Sequence, residues 1–337
     1  MIDFRYHLVS IIAIFVALSV GIVLGTTLLE EPTIQAAEAV ADTLQKGNSE
    51  LRASNEVLTD MKTGNDAFVT SHASELVEGA LAGESVVIVE APDATQGMSE
   101  AVQQMLELAG ATVTGQVTLT DKYVDPTQSV FIDRLATGVK PVDMVFPAED
   151  TAYDKAAAVL AGALVSTVPD PAAKDDPPGS GVLDAFQRAE LLTVTVGPAA
   201  QASGAEQIAR AGLAVVVAPT DAYTGETAAT QSGAIVSLAL GLDEGSRGSV
   251  LTGPLSATAA GGVLAALRDA AVAAEKVSSV DTADIPAGRV VVVYALREQL
   301  SGVTGQYGIG PDASAFEPSA PAPTASPSTP PTAPSGG

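Results

Sequence analysis

Cysteine and tryptophan are absent from the 337 residues, histidine occurs twice, and 16 basic residues face 40 acidic ones. Each shortage closes a class of function. Without cysteine the chain can hold no disulfide framework and no thiolate metal site. Of the two imidazoles, His7 abuts an apolar run and His72 falls in a helical stretch ahead of the folded region, so base-assisted nucleophilic catalysis lacks its usual base. A formal net charge of −24 leaves no basic surface to displace counterions from a phosphate backbone, which excludes nucleic acid as a partner. No Walker loop, no G-x-G-x-x-G after a strand, no G-x-S-x-G elbow and no H-E-x-x-H helix occurs. The expectation is a protein without catalytic residues and without a cofactor.

What the chain has in excess is an apolar opening. After MIDFRYH, residues 8–29 run without a charge and then meet Glu30 and Glu31. At about 1.5 Å per helical residue the run matches a hydrocarbon core about 30 Å thick. It is too long for the apolar region of a cleaved signal peptide, and no small-residue exit site follows, so it reads as a retained anchor. Arg5 and His7 before the span and two acids after it predict a cytoplasmic N-terminus with everything beyond residue 30 outside the cytoplasm. Ala13, Ala17, Gly21 and Gly25 recur every four residues and form a small-residue stripe on which another membrane helix can pack.

Residues 31–80 are polar and helix-forming, and Ile34, Ala37, Ala41, Leu44, Asn48, Leu51, Asn55 and Leu58 fall on alternating three- and four-residue steps. That is a short coiled-coil frame, with Leu44, Leu51 and Leu58 in one core position and Asn48 and Asn55 in the other. It predicts a homodimer or a helical surface for a partner. Gly47 and Gly64 weaken the helix by about 1 kcal/mol each relative to alanine, so the pairing is expected to be weak.

An α/β domain is expected over residues 81–310. SVVIV from residue 85, LLTVTV at 191–196, AVVVAP at 214–219 and VVVVYAL at 290–296 are continuous β-branched runs, as in strands covered on both faces. Helical patterns lie between them at 98–109, 127–135, 151–165, 199–211, 227–240 and 258–274, which predicts a mostly parallel sheet with helices on both faces. VVIVEAPDATQG and VVVAPTDAYTG resemble one another. The Pro- and Asp-rich stretch at 168–181 reads as a loop between two halves, and residues 311–337 as a disordered Pro-rich tail.

The remaining chemical candidates are few. Glu90, Asp93 and Asp221 follow strands and could line a crevice, although capping the next helix or forming an Asx turn is the reading preferred for Asp93 and Asp221. Met98 and Met105 lie seven apart on one helix face and are the only metal candidates, a spacing that more often serves core packing.

Two segments carry a family resemblance: the opening D-F-R-Y-H-L-V-S, and the stretch from Asp284-Ile285-Pro286-Ala287-Gly288-Arg289 to Gly305-Gln306-Tyr307-Gly308. With these the chain resembles the actinobacterial MctB-like family from the anchor to about residue 310. The resemblance implies copper transport or homeostasis, with copper as the transported ion and an outer-membrane, pore-like description. It brings no metal-ligand motif. A single apolar helix belongs instead in a helix-hosting plasma membrane, because outer-membrane pores are closed barrels of alternating strands. A second branch, represented by SteB, implies another role: an anchored coil that works with a membrane partner to activate a cell-wall hydrolase in cell separation.

Overall fold

The computed structural model describes residues 4–168, 177–202, 204 and 207–319. The chain divides into two compact units, Met1–Ala67 and Phe68–Gly337. Helix α1 (Phe4–Val77) begins in the first and ends in the second.

Within the first unit, Phe4–Thr26 is long and apolar enough to cross a membrane. The hydroxyls of Ser19 and Thr26 donate back to the carbonyls of Phe15 and Ile22, at 2.8 and 3.1 Å. Those polar groups are thus satisfied inside the helix, as a lipid surrounding requires. Ala13, Ala17, Gly21 and Gly25 all lie on this span, and a Cβ added to Gly21 or Gly25 would meet nothing within 4 Å. Further along α1, Leu44 and Leu51 are each 68% exposed and Leu58 is 59% exposed. Asn48 and Asn55 are exposed beside them.

The second unit holds the last turns of α1, then β1 (Ser85–Glu90), α2 (Gln96–Leu108), β2 (Thr112–Leu119), α3 (Asp121–Val124), α4 (Ser129–Val139), α5 (Ala152–Leu164), α6 (Pro177–Arg188) and β3 (Leu192–Val196). There follow α7 (Pro198–Ala202), β4 (Leu213–Val217), α8 (Ala228–Gly245), β5 (Ser249–Thr252), α9 (Val263–Asp269), α10 (Ala271–Lys276), β6 (Ser278–Val280), α11 (Pro286–Gln299) and β7 (Gln306–Tyr307). They form one sheet of order β3-β2-β1-β4-β5-β6-β7. Neighbouring strands are parallel except β3, which runs antiparallel to β2.

Alternation along β1 divides the core. Val87 and Val89 face one layer with residues of α3, α4, α5, α6, α8 and α9, while Val86 and Ile88 face the other with α2, α11 and the α1 residues Ala73 and Val77. Burial on both faces is why residues 86–89 and LAVVV are apolar at every position.

One connection breaks the pattern of hand. From β1 to β2 the sheet grows one way with α2 on one face, and from β4 through β6 it grows the other way with α8 and α9 on the opposite face, so these crossovers share a hand. From β6 to β7 it keeps growing in that second direction, yet α11 lies on the α2 face. Its crossover therefore has the opposite hand, against the strong preference for right-handed connections. Three glycines along it make close approaches. A Cβ on Gly288 would come within 1.8 Å of the Thr282 carbonyl oxygen, one on Gly308 within 1.9 Å of Asp281 Oδ1, and one on Gly305 within 2.1 Å of the Tyr307 hydroxyl.

Several elements differ from the sequence expectation. VVVVYAL is not a strand but the middle of α11: Pro286 stands at the first helical position, and Val290, Val291, Val292 and Val293 are all buried. Burial on nearly every side overrides the modest helical cost of β-branched residues. The helix expected at 199–211 is only the short α7; Gly204, at φ +80°, stands beyond its end. The helix expected at 258–274 is split into α9 and α10 behind Gly261, at φ +85°. Strands β2, β5, β6 and β7 were not expected. The loop at 168–181 gives way to α6 at Pro177, while residues 169–176 lie outside the described residues. At the C-terminus the Gly308 N–H donates to the Ala315 carbonyl at 2.9 Å, so residues 311–319 begin on the fold; the rest of the expected tail, 320–337, lies outside the described residues.

Candidate functional site

Sheet order reverses between β1 and β4, the position at which an α/β sheet leaves a crevice at the carboxyl ends of its strands. The loops that follow β1, β4, β5 and β6 are stitched together there. The Thr220 N–H donates to the Asp93 carbonyl at 3.2 Å, and the Ala283 N–H to the Gly253 carbonyl at 3.1 Å. The hydroxyls of Thr95 and Thr220 share a hydrogen bond, and the Ser256 hydroxyl donates to the Thr220 carbonyl.

Between these loops lies a crevice of about 230 Å3. One wall is the first half of α2, with Thr95, Gly97, Met98 and Ala101; the facing wall is the head of α11, with Asp284 and Arg289; Thr220 and Pro254 close it. The reversed hand of the β6–β7 crossover creates this site, because a crossover of the usual hand would put α11 on the α8 face and leave α2 without a facing wall. Arg289 is held over its own helix head: Nε donates to the Ile285 carbonyl and Nη2 to the Asp284 carbonyl, each at 3.3 Å. Neither α2 nor α11 carries a side-chain cap at its start.

Asp93 and Asp221 do not line the crevice; their neighbours Thr95 and Thr220 do. Nor do the two acids cap helices, since Thr95 and Thr227 occupy the positions before α2 and α8. Asp93 instead takes φ +61° and offers its carbonyl to Thr220. Burial pushes the Tyr223 hydroxyl far above its ordinary value, and the Asp93 and Asp121 carboxylates add to that shift. Glu90 is buried at the end of β1, where Oε2 accepts from the Thr118 hydroxyl at 2.7 Å and Oε1 has no partner among the described residues.

Met98 and Met105 are both buried in the layer between the sheet, α2 and α11; Met98 also edges the crevice. Among the described residues no group of three or more His, Cys, Asp or Glu is placed to hold a metal ion. His72 stacks on Phe68 with ring centroids 4.4 Å apart, and its Nδ1 lies 3.0 Å from the Phe68 carbonyl. A single thioether beside hydroxyls is a poor soft-ligand set for copper. Composition and periodicity missed Thr95 and Thr220. For Asp284 and Arg289 the signal was present in the D-I-P-A-G-R stretch, whose spacing puts both at the head of one helix.

Comparison with known proteins matches residues 1–318 to the family described as "Copper transport outer membrane protein, MctB". Proteins named Copper transporter MctB from Mycobacterium tuberculosis and Mycobacterium bovis are 28% identical over 315 residues, covering 92% of this chain and 97% of theirs. The protein of that name from Mycobacterium leprae is 29% identical over the same coverage.

Proposed function

The chain belongs to the MctB family of copper transport proteins, and we propose that it serves copper transport or homeostasis as a membrane-anchored envelope protein with no catalytic activity of its own. The observation that carries this reading is the extent of the match, which takes in the apolar helix and the whole α/β unit together. Copper is cargo here and not a resident ion: the crevice offers one thioether, and a conducted ion needs weak, exchangeable contacts and not a tight cage.

We place the anchor in the plasma membrane, with Arg5 and His7 inside and the α/β unit outside. The one candidate membrane helix among the described residues encloses no pathway by itself, so passage of an ion requires further copies or a membrane partner. The stripe Ala13, Ala17, Gly21 and Gly25 gives neighbouring helices a close approach. The test is copper per cell in a deletion strain under copper load, with complementation. Raised copper that the intact gene restores supports the reading, and unchanged copper overturns it.

A second reading draws on the exposed seam of Leu44, Leu51 and Leu58. In this reading the helix pairs with a second copy or a membrane partner and the protein activates a cell-wall hydrolase, as the SteB branch implies. Leu51→Asp in the full chain separates the two. Loss of cell separation with copper handling intact favours the scaffold, and a wild-type phenotype removes it.

A further inference from the structure

The two edges of the sheet are finished differently. At β7 the chain covers its own strand: the Ser314 N–H donates to the Gln306 carbonyl at 2.7 Å, and Tyr307 bridges to Ala315. At β3 it does not. Strands β2 and β3 keep one unbroken antiparallel register, with Val117 opposite Val194. The Gly197 N–H donates to the Thr114 carbonyl and the Thr120 N–H to the Leu191 carbonyl, which fixes the phase of the ladder. Such a ladder alternates, so Thr193 and Thr195 bond to β2 while the N–H and carbonyl groups of Leu192, Val194 and Val196 point off the sheet. Among the described residues these outward groups meet one partner, the Gln201 side-chain amide on the Val196 carbonyl, which keeps a second lone pair. None of the five residues of β3 is charged or a proline, and no bulge bends the strand. Those are the devices that shield an exposed edge, and β3 lacks them. Thr193 and Thr195 are exposed on the face away from the layer that buries Leu192.

We propose that β3 pairs with β3 of a second copy, antiparallel about a two-fold axis through Val194, so that one sheet runs through both α/β units. Complementarity of partial charge selects that occupant and that direction. The rotation sets Val194 against its own counterpart and Leu192 against the second copy's Val196, with N–H facing carbonyl throughout. Parallel pairing of identical strands at one height would set N–H against N–H. The contact is isologous and closes on itself. A single strand pair covers much less than the about 1,200–2,000 Å2 of a stable soluble interface. Copies anchored in one membrane need less, because the shared anchor raises their effective concentration. This contact is separate from pairing along α1 and does not depend on copper handling.

In this register Thr193 stands directly opposite the second copy's Thr195 in a non-hydrogen-bonded pair, with Cα atoms about 4.5 Å apart, inside the window for a disulfide. Two copies of either position alone stand diagonally, about 8 Å apart, outside it. The experiment co-expresses full-length chains carrying Thr193→Cys and Thr195→Cys and oxidises them mildly in membranes; the parent chain has no cysteine to compete. The expected result is a disulfide-linked dimer at least tenfold more abundant from the mixture than from either variant expressed alone. Pairing along α1 gives no such preference, because it brings identical positions together. Val194→Pro, added to both chains, removes the central outward N–H and leaves the bonds to β2 in place, as proline on an edge strand can. It should cut the mixed dimer at least tenfold while thermal unfolding of the purified chain stays cooperative. Should the proline variant fail to fold, the ratio of mixed to single yields decides alone. Equal yields from the mixture and the single variants overturn the proposal, as does a mixed dimer undiminished by Val194→Pro in a folded chain. A thiol adduct with another protein in place of the dimer also overturns it and assigns the edge to a foreign strand.

Discussion

Arg268 and Asp281 form an ion pair, 3.0 Å between Nη1 and Oδ2, with 3% and 0% of their side chains exposed. The pair closes a knot around the edge of the sheet. Asp281 also accepts from the N–H groups of Ile309 and Gly310, at 2.9 and 3.0 Å. Arg268 also donates to the Ser279 hydroxyl and to the carbonyls of Tyr307 and Pro311. Two strands of three and two residues are held in register this way, where backbone pairing alone gives too few bonds.

Removing one partner strands the other charge in a dry site. Arg268→Ala should therefore destabilise the fold by about 3–5 kcal/mol. Urea unfolding of the full chain measures this, and a loss under about 1 kcal/mol, the ordinary worth of an exposed pair, would show that solvent reaches Asp281.

The head of α11 makes a second prediction. Gly288→Ala places a Cβ 1.8 Å from the Thr282 carbonyl oxygen, so helix and loop must move apart. Overpacking of this kind costs about 1–3 kcal/mol. Gly138→Ala in α4, where an added Cβ meets nothing within 4 Å, is the control and should stabilise slightly by helix propensity. Equal effects of the two substitutions in thermal unfolding would refute the close approach.

Stability should also respond to acid in an uncommon direction. Burial raises the Asp243 carboxyl from 3.8 to about 6, although the Ser249 N–H and Lys276 pull it down. A folded value above the unfolded one means that the fold holds this proton more tightly. Asp243 therefore favours the fold at low pH, and that contribution is lost as pH rises through the window from 3.8 to about 6. Asp243→Asn keeps an oxygen for the Ser249 N–H, now 3.1 Å away, and should be more stable than the parent above pH 6. A variant less stable than the parent at pH 7.5 would contradict this.

How far these features were legible beforehand depended on how local their causes are. The strand at Ser85 announced itself because both its faces are buried, and so did the strand at Leu213. In β2 the run is diluted by Gly115, where a Cβ would come within 2.5 Å of Ile208, a packing demand set by residues far along the chain. The valines of α11 read as a strand because period and propensity carry no information about which face a crossover takes. For the same reason the crevice was legible only as a place, the end of the strands, and not by its residues. Arg289 and Thr95 face one another only because the last crossover reverses its hand.

The exposed seam on α1 supplies the final prediction. A row of Leu44, Leu51 and Leu58, each at least 59% exposed, leaves apolar surface in water that a second copy can cover. Asn48 and Asn55 at the alternate core position favour parallel, in-register pairing, because each amide then meets its own counterpart. The absence of cysteine makes the test direct, since a single introduced thiol has no competitor. Leu51→Cys in membranes should give a disulfide-linked dimer under mild oxidation. Val57→Cys, 58% exposed against 68% for Leu51 but off the seam, should not. Equal crosslinking of both would indicate random collision, and crosslinking of neither would assign the seam to a different partner. Parallel pairing brings two copies of the same position together, so the dimer should form in full only when both copies carry the thiol. Co-expression with the parent chain should therefore dilute it.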